Sequence, residues 1–277
     1  MKMRRRRQLT LLSKDEIQRM REAGQLAAEL ICHLGDMVEA GISTQEINDE
    51  AERWGKARKI IHAPFNYKGF PRSICTSVNE VICHGIPNSE LILKDGDIIS
   101  IDVTPILNEY HGDTCATFFV GEPAPKTREL VEVTAQCLMR GIREIRPGKR
   151  IGDIGAAIQA HAEPLGFSVV RDFIGHGIGR NFHGSPEVPH YGTRNTGLRL
   201  RPGMAFTVEP MINVGDYGVK VLDDDWTAIT RDRSLSAQFE HTLVVTEDGV
   251  EIMTCREGDD PFKIAPGGKI NFEEIGL

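Results

Sequence analysis

Four acidic residues stand in segments where a carboxylate is unusual. Asp102 follows the largely apolar stretch IISI, and Glu209 follows the stretch MAFTV. Asp113 and Glu240 each precede a further segment rich in β-branched and aromatic residues. A carboxylate inside a sheet costs several kcal/mol of desolvation unless a partner compensates it. Four converging carboxylates would need cations between them, so the pattern predicts two divalent metal ions, which activate water for hydrolysis.

His176 is the candidate nitrogen ligand of this site. It lies in the run GHGIG, where small residues would let the backbone approach a crowded centre. Carboxylates with one imidazole suit Co, Mn, Fe(II) or Zn, and the sequence contains no HExxH motif of the single-zinc proteases. Simpler explanations remain open for each residue. Asp102 could pair with a buried arginine, Asp113 and Glu240 could be exposed loop acids, and the glycine run could be only a tight turn.

The two pairs of acids belong to two halves of the chain that resemble each other. The stretch GDIISID at 96–102 matches GMAFTVE at 203–209, and GISTQEI at 41–47 matches GKRIGDI at 148–154, both at an offset of 107 positions. A third match at the same offset joins the helical segments near Arg21 and Arg128. Shared offsets indicate an internal duplication, which would place the acids around a pseudo-two-fold axis.

Each half shows the same order of predicted elements, two helices followed by strands. Apolar residues at three- and four-residue spacing predict amphipathic helices, and Ser13 with Glu16 forms a capping-box start. The predicted helices cover 14–34, 43–55, 126–146 and 152–163, and the predicted strands cover 97–104, 113–120, 204–213 and 239–246. The order predicts an α/β (α+β) fold with an antiparallel sheet covered by helices. We expect one catalytic domain over 9–255, between a basic arm at 1–8 and a tail at 256–277.

Composition favours a reduced intracellular environment. The chain has 277 residues with 40% hydrophobic and 26% charged residues, which is typical of globular proteins. Its six cysteines form no C-x-x-C pair, so we expect reduced thiols and a cytoplasmic location. No apolar run approaches the roughly 18 residues of a membrane helix, so no membrane partner is expected.

The first seven residues differ in charge from the remainder of the chain. They contain Lys2 and four arginines, whereas the whole chain carries a net charge of −7. Three explanations remain open for this arm: a disordered solvated tail, electrostatic docking on ribosomal RNA, or an organellar transit segment. No apolar stretch follows the arm, so a secretory signal is not predicted.

Six motifs in this order resemble the type I methionine aminopeptidases, a family of M24-like metallopeptidases with the pita-bread fold. The motifs are FPRSICTSVNEVICHGIP at 70–87, DGDIISIDV at 95–103, HGDT at 111–114, GHGIGRNFH at 175–183, TVEPM at 207–211 and SLSAQFEHT at 234–242. The resemblance covers roughly residues 9–255. The short spacing between His183 and Glu209 leaves no room for the insertion of the type II enzymes.

The resemblance implies a role for each matching residue. Asp102 would bind one metal ion, His176 and Glu209 the other, and Asp113 and Glu240 would bridge the two. The implied catalytic residues are His84, His183 and Glu209. The implied substrate-binding residues are Tyr67, Phe70, Cys75, His84, Phe182, His183 and Trp226. The implied function is removal of the initiator methionine from nascent polypeptides, by attack of a metal-activated hydroxide on the first peptide bond.

Two rival functions and some departures from the family pattern accompany this prediction. An aminopeptidase P or prolidase would share the metal site but usually carries a large extra N-terminal domain, and a binding-only relative would have lost catalysis. Gly184, Pro64 and Lys68 depart from common family residues near the substrate pocket. None is a predicted ligand, so they bear on substrate range only. The expected state is a monomer.

Overall fold

The computed structural model describes residues 9–256 and the strand Lys269–Ile270. The predicted basic arm and most of the predicted tail lie outside these residues, so the predicted domain limits stay a prediction. The described helices are α1 Lys14–Gly35, α2 Thr44–Arg58, α3 Pro125–Arg143 and α4 Ile151–Ala162, with short 3-10 turns at Tyr67–Gly69 and Glu163–Leu165. No helix in this part of the chain is long and apolar enough to cross a membrane.

The strands are short and numerous. In chain order they are β1 Ile61–His62, β2 Cys75–Val78, β3 Val81–Cys83, β4 Ile98–Val103, β5 Pro105–Leu107, β6 Tyr110–His111, β7 Thr114–Phe119, β8 Ser168–Val169, β9 Gly175–Gly177, β10 Gly184–Val188, β11 Ala205–Val208, β12 Met211–Asn213, β13 Val219–Val221, β14 Ala228–Thr230, β15 Ser236–Gln238, β16 Glu240–Val245, β17 Val250–Ile252 and β18 Lys269–Ile270.

The helix starts follow from local sequence. Ser13 caps α1, where its hydroxyl accepts the backbone N–H of Glu16, and the Glu16 carboxylate accepts the backbone N–H of Ser13 in return. This reciprocal pair is the predicted capping box.

Helix α3 ends at Arg143 rather than at 146 as predicted. The backbone N–H of Glu144 bonds to carbonyls two and three residues back, which tightens the last turn before Pro147.

The largest sheet is antiparallel throughout and joins the two halves of the chain. Its strand order is β10-β9-β11-β16-β7-β4-β2, with β17 and β18 paired beside β16. The seam between the halves is the β7–β16 pair, in which Glu240 faces Cys115 and His241 faces Thr114. The predicted antiparallel sheet with internal pseudo-two-fold symmetry is confirmed. Its central strands β4 and β7 come from the first half, and β11 and β16 come from the second.

Each half packs its own pair of helices on the sheet. One apolar cluster joins α1 and α2 to buried residues of β4, such as Ile99 and Ile101. The other joins α3 and α4 to residues of β11 and β16, such as Phe206 and Leu243. These apolar contacts fix which face of each central strand packs against the helices. The site described below lies at the ends of these central strands.

Candidate metal centre

Strand register brings acids from both halves to one point of the sheet. Asp102 on β4 and Glu240 on β16 are both the direct cross-strand partners of Cys115 on β7. Directly opposed residues of neighbouring strands project from the same face. Both carboxylates therefore lie on the Cys115 side of the sheet, one from each half of the chain.

Asp113 enters the same cluster from the residue before β7. Its backbone N–H donates to the Thr242 hydroxyl at 3.1 Å, and that hydroxyl donates to the Asp113 carbonyl at 2.8 Å. The Thr104 hydroxyl donates to Asp113 Oδ1 at 2.7 Å. Asp113 and Glu240 are only 3% and 2% exposed. These two acids are therefore not exposed loop residues.

His176 lies on β9 and reaches the acids through a close approach of strands. A Cβ placed on Gly175 would lie 2.3 Å from the Thr207 carbonyl oxygen, and one on Gly177 would lie 1.9 Å from the Ser185 carbonyl oxygen. Only glycine leaves room for the backbone at these two positions. The glycine run around His176 is thus a requirement of the packing that delivers the imidazole.

The donor atoms of the cluster lie at distances that a metal ion could span. His176 Nε2 is 3.5 Å from Asp113 Oδ2 and 3.7 Å from Glu209 Oε1. Donor atoms of Asp113, His176 and Glu240 all lie within 4.8 Å of one another. His176 Nδ1 lies 3.2 Å from the Gly177 carbonyl oxygen. That contact makes Nδ1 the donor and leaves the Nε2 lone pair facing the carboxylates.

The raised pKa values of the four acids show that their charged forms need cations nearby. Burial raises the pKa of Asp102 to about 7 and that of Glu209 to about 8, and the pKa values of Asp113 and Glu240 rise well above the usual range through burial and the neighbouring acids. Among the described residues, no lysine or arginine forms an ion pair with any of the four, and the charge of Arg256 lowers the pKa of Glu240 by less than burial and the other acids raise it. The buried Asp102 Oδ1 has no hydrogen-bond partner in this part of the chain. Four oxygen donors with one neutral imidazole fit hard or borderline divalent ions.

A cavity of about 450 Å³ opens above these acids. It is lined by every residue that the family resemblance assigns to metal, catalysis or substrate: Tyr67, Phe70, Cys75, His84, Asp102, Asp113, His176, Phe182, His183, Glu209, Trp226 and Glu240. Gly184, Pro64 and Lys68 line it as well. The structure thus brings the predicted residues together, while their individual roles stay predictions.

Aromatic side chains form the walls of this cavity. Phe70 and Trp226 pack edge to face with ring centroids 5.2 Å apart, and Tyr67 lies 5.0 Å from Phe182. Sequence analysis missed further lining residues, Cys83, Asp172, Phe173, Ile174, Glu187 and Gln238. Phe173 and Ile174 directly precede the glycine run that carries His176, so proximity in sequence could have identified them. Cys83 and Gln238 lie inside the motifs at 70–87 and 234–242, whereas Asp172 and Glu187 gave no signal of their own.

Two neutral histidines face the acids across the cavity. The His183 ring lies 4.1 Å from the His176 ring, and the His84 ring contacts Phe173 and Trp226 edge on. Burial lowers the pKa of His84 to about 4, with a smaller effect of Lys68, and burial with the His176 charge lowers that of His183 to about 3. Both imidazoles are therefore uncharged at neutral pH. Each can donate one N–H bond and accept another.

The metal-free protein should lose stability as the pH rises from about 6.5 to 8.5. Burial raises the pKa of Asp102 to about 7 and that of Glu209 to about 8, above the unfolded value of about 4. The folded state therefore holds more protons than the unfolded state over this window. The free energy of unfolding should fall by about 1.4 kcal/mol per pH unit for each such proton. Urea unfolding of chelator-treated protein at three pH values measures this slope.

The lower limit of that window comes from the histidines. Burial lowers the pKa of His176 to about 4, so below about 6.5 the unfolded state takes up a proton that the folded ring does not, and this opposes the stabilisation that the protonated acids contribute. Glu209→Gln removes one titrating acid and should flatten the slope above pH 6.5. A free energy of unfolding that rises between pH 6.5 and 8.5 would show that the acids are not buried together.

Comparison with known proteins gives consistent results. The profile of Metallopeptidase family M24 matches residues 18–247. Methionine aminopeptidase A of Synechocystis sp. is 63% identical over 249 residues, covering 90% of this chain and 98% of that protein. The crystal structure of methionine aminopeptidase from Rickettsia prowazekii superimposes with a TM-score of 0.88 at 50% identity, covering 90% of this chain and 100% of the other.

A prolidase shares the fold at greater distance. The prolidase from Pyrococcus furiosus superimposes with a TM-score of 0.70 at 20% identity, and this chain covers 65% of its length. At that identity the likeness concerns the fold alone.

Proposed function

The chain belongs to metallopeptidase family M24, and from that premise we propose that it removes the N-terminal methionine of new proteins at a two-metal centre. It is a metallo-aminopeptidase that matches methionine aminopeptidases over nearly their full length. The observation that carries the proposal is the cluster of four carboxylates and one neutral imidazole, in which Asp113 and Glu240 are buried and no acid forms an ion pair with a lysine or arginine among the described residues. The cluster lies at the floor of an aromatic cavity.

The proposed ligand assignment is the one that the family resemblance implies. Asp102 would hold one ion, His176 and Glu209 the other, and Asp113 and Glu240 would lie between them. The group within 4.8 Å, Asp113, His176 and Glu240, contains both proposed bridging acids, which supports this arrangement. Two divalent ions, when bound, supply a water of lowered pKa and polarise the carbonyl of the scissile bond.

Glu209 is the proposed general base and acid. The Thr207 hydroxyl donates to its Oε1 at 2.7 Å, and the Gln238 amide lies 3.4 Å from its Oε2. These contacts restrain the carboxylate at the wall of the cavity. There Glu209 would accept the proton of the attacking water and deliver it to the departing amine.

His183 and His84 are the proposed substrate-positioning groups. His183, stacked 5.1 Å from Tyr67, can donate to the oxygen of the scissile carbonyl or to the adjacent amide. His84 would contact the scissile nitrogen. Its backbone has φ of 57°, a left-handed conformation that is uncommon for a residue other than glycine. Such conformations concentrate at functional sites because the surrounding structure holds them in place.

The proposed methionine pocket uses the aromatic walls of the cavity. Its members are Tyr67, Phe70, Cys75, Phe182 and Trp226. A thioether gains from aromatic and sulfur neighbours, so this lining supports methionine over other apolar side chains. Substrates would be nascent polypeptides that carry an N-terminal methionine, encountered in the cytoplasm.

Replacing Cys75 should weaken selectivity for methionine. Cys75→Ala removes a buried sulfur from the cavity wall, and the enlarged pocket should lower the kcat/KM ratio of Met over Leu substrates by less than about tenfold. Matched Met-Ala-Ser and Leu-Ala-Ser peptides measure that ratio. Cys137→Ala, at a buried thiol of α3 outside the cavity, is the control and should leave the ratio unchanged. An unchanged ratio in the Cys75 variant would show that Cys75 does not contribute to the selectivity for methionine.

A direct assay separates this proposal from its rivals. Protein reconstituted with Co, Mn, Fe(II) or Zn in turn should release methionine from a Met-Gly-x peptide and leave x-Pro peptides intact. Cleavage of x-Pro peptides without methionine release would instead favour a prolidase. Metal binding without any turnover would favour a binding-only relative. The ribosome contact, one of the three explanations left open for the arm at 1–8, concerns residues outside the described structure.

A further inference from the structure

His190 is a buried histidine outside every predicted group of site residues. It lies two positions after β10 and is 0% exposed. The backbone N–H of Glu209 donates to its Nε2 at 3.1 Å. The side chain therefore contacts the main chain of the proposed general base rather than its carboxylate.

The hydrogen bond fixes the state of the imidazole. Because Nε2 accepts a hydrogen bond, the ring proton must be on Nδ1 when the ring is neutral. The complete burial of the ring also disfavours its charged form. Nδ1 is buried and has no hydrogen-bond partner among the described residues. A buried donor without a partner is costly, so packing alone would favour an apolar side chain at this position.

The segment that carries His190 is held from the other side by α4. A Cβ on Gly155 would lie 2.6 Å from the Pro189 carbonyl oxygen and 2.4 Å from the Tyr191 carbonyl oxygen. The helix backbone thus lies directly against both neighbours of His190. The imidazole is therefore presented from a segment with little freedom to move.

Glu209 needs such a contact because it lies outside the strand ladder. Strand β11 ends at Val208, whose cross-strand partner is His241, and Pro210 separates it from β12. The backbone N–H of Glu209 therefore has no ladder acceptor, and buried backbone donors require one. His190 supplies it.

We propose that His190 is a positioning residue that fixes the backbone of Glu209, so that the Glu209 carboxylate is presented to His176 and to the metal site. Three contacts then restrain this acid: His190 at the main chain, Thr207 at Oε1 and Gln238 at Oε2. The inference rests on the proposed function to the extent that Glu209 acts as ligand and base. Supporting contacts around metal ligands typically change metal affinity or activity by about 10–100-fold.

Two variants of nearly equal volume test the role. His190→Gln keeps an acceptor that can reach the Glu209 N–H, whereas His190→Met fills similar space without a comparable acceptor. We expect the Met variant to lose about 10–100-fold in metal affinity and in kcat, with KM for a Met-Gly-x peptide changed by less than about threefold. The Gln variant should remain within about threefold of the parent protein. Calorimetric titration of metal-free protein with Mn²⁺ measures the affinity.

Two outcomes would overturn the proposal. Equal behaviour of the Met variant and the parent protein would show that the hydrogen bond is dispensable. Equal impairment of the Gln and Met variants, with equal losses of thermal stability, would show that the ring acts only by packing.

A measurement on the unsubstituted protein covers the case in which a variant fails to fold. Nitrogen NMR of labelled histidine should show His190 protonated at Nδ1 and not at Nε2, and a proton on Nε2 would overturn the proposal. If the parent protein neither binds metal nor releases methionine, the proposed function fails. The tautomer measurement would still report on the bond between His190 and Glu209.

Discussion

Asp113→Ala is expected to lose metal binding and to reduce kcat/KM by more than about 10³-fold while the protein remains folded. In the proposed assignment Asp113 would bridge the two ions, and its Oδ2 lies 3.5 Å from His176 Nε2. Removing a shared ligand would affect both ions at once, so the loss should exceed the roughly 10²–10³-fold cost of one oxyanion-stabilising donor. Metal content after dialysis and methionine release from a Met-Gly-x peptide measure the two effects. Glu240→Ala should behave in the same way.

The fold should survive this change because it removes one of four mutually repelling acids. The raised pKa of Asp113 has burial as its main cause and the Asp102 charge as the next, so the ionised carboxylate destabilises the metal-free fold. Above pH 7 the metal-free variant should be at least as stable as its parent. Asp172→Ala, at an exposed acid of the same cavity, is the matched control and should retain metal binding. Normal activity of metal-replete Asp113→Ala would refute the bridging role.

The second large effect is expected from His183. His183→Ala should lower kcat by about 10²–10³-fold, because in the proposed mechanism this neutral imidazole, 4.1 Å from the His176 ring, would stabilise charge that develops on the scissile carbonyl. Metal affinity should change by less than about threefold, since His183 is not a proposed ligand. Steady-state kinetics and a metal titration of the same preparation separate the two quantities.

The control for His183 is a histidine outside the cavity. His161 on α4 bonds to Gln136 at 2.8 Å, and its replacement by alanine should leave kcat unchanged. A loss of metal binding in His183→Ala as large as the loss of kcat would make His183 a ligand. An unchanged kcat would remove it from the catalytic residues.

Much of the fold could be predicted because its main elements are encoded locally. The four helices and the strands β4, β7 and β16 match the predicted segments within a few residues, since apolar periodicity and capping residues act over a few positions. The predicted strand over 204–213 was wrong as one element. Pro210 has no backbone N–H and divides it into β11 and β12. Most two- and three-residue strands were missed because they are too short to show an alternating pattern, and some, such as β1 and β8, pair only with strands distant in sequence.

The sequence by itself determined the chemistry of the site. Carboxylates in strand-forming segments, repeated at one offset, indicate a cation site because their charge could not be buried otherwise. The tertiary structure alone decided how the acids meet. Asp102 and Glu240 converge through Cys115, and the β7–β16 seam joins residues about 125 positions apart. It also decided the supporting contacts of Thr207 and His190. Hydrogen-bond register and burial depend on the whole packed sheet, so no local pattern encodes them.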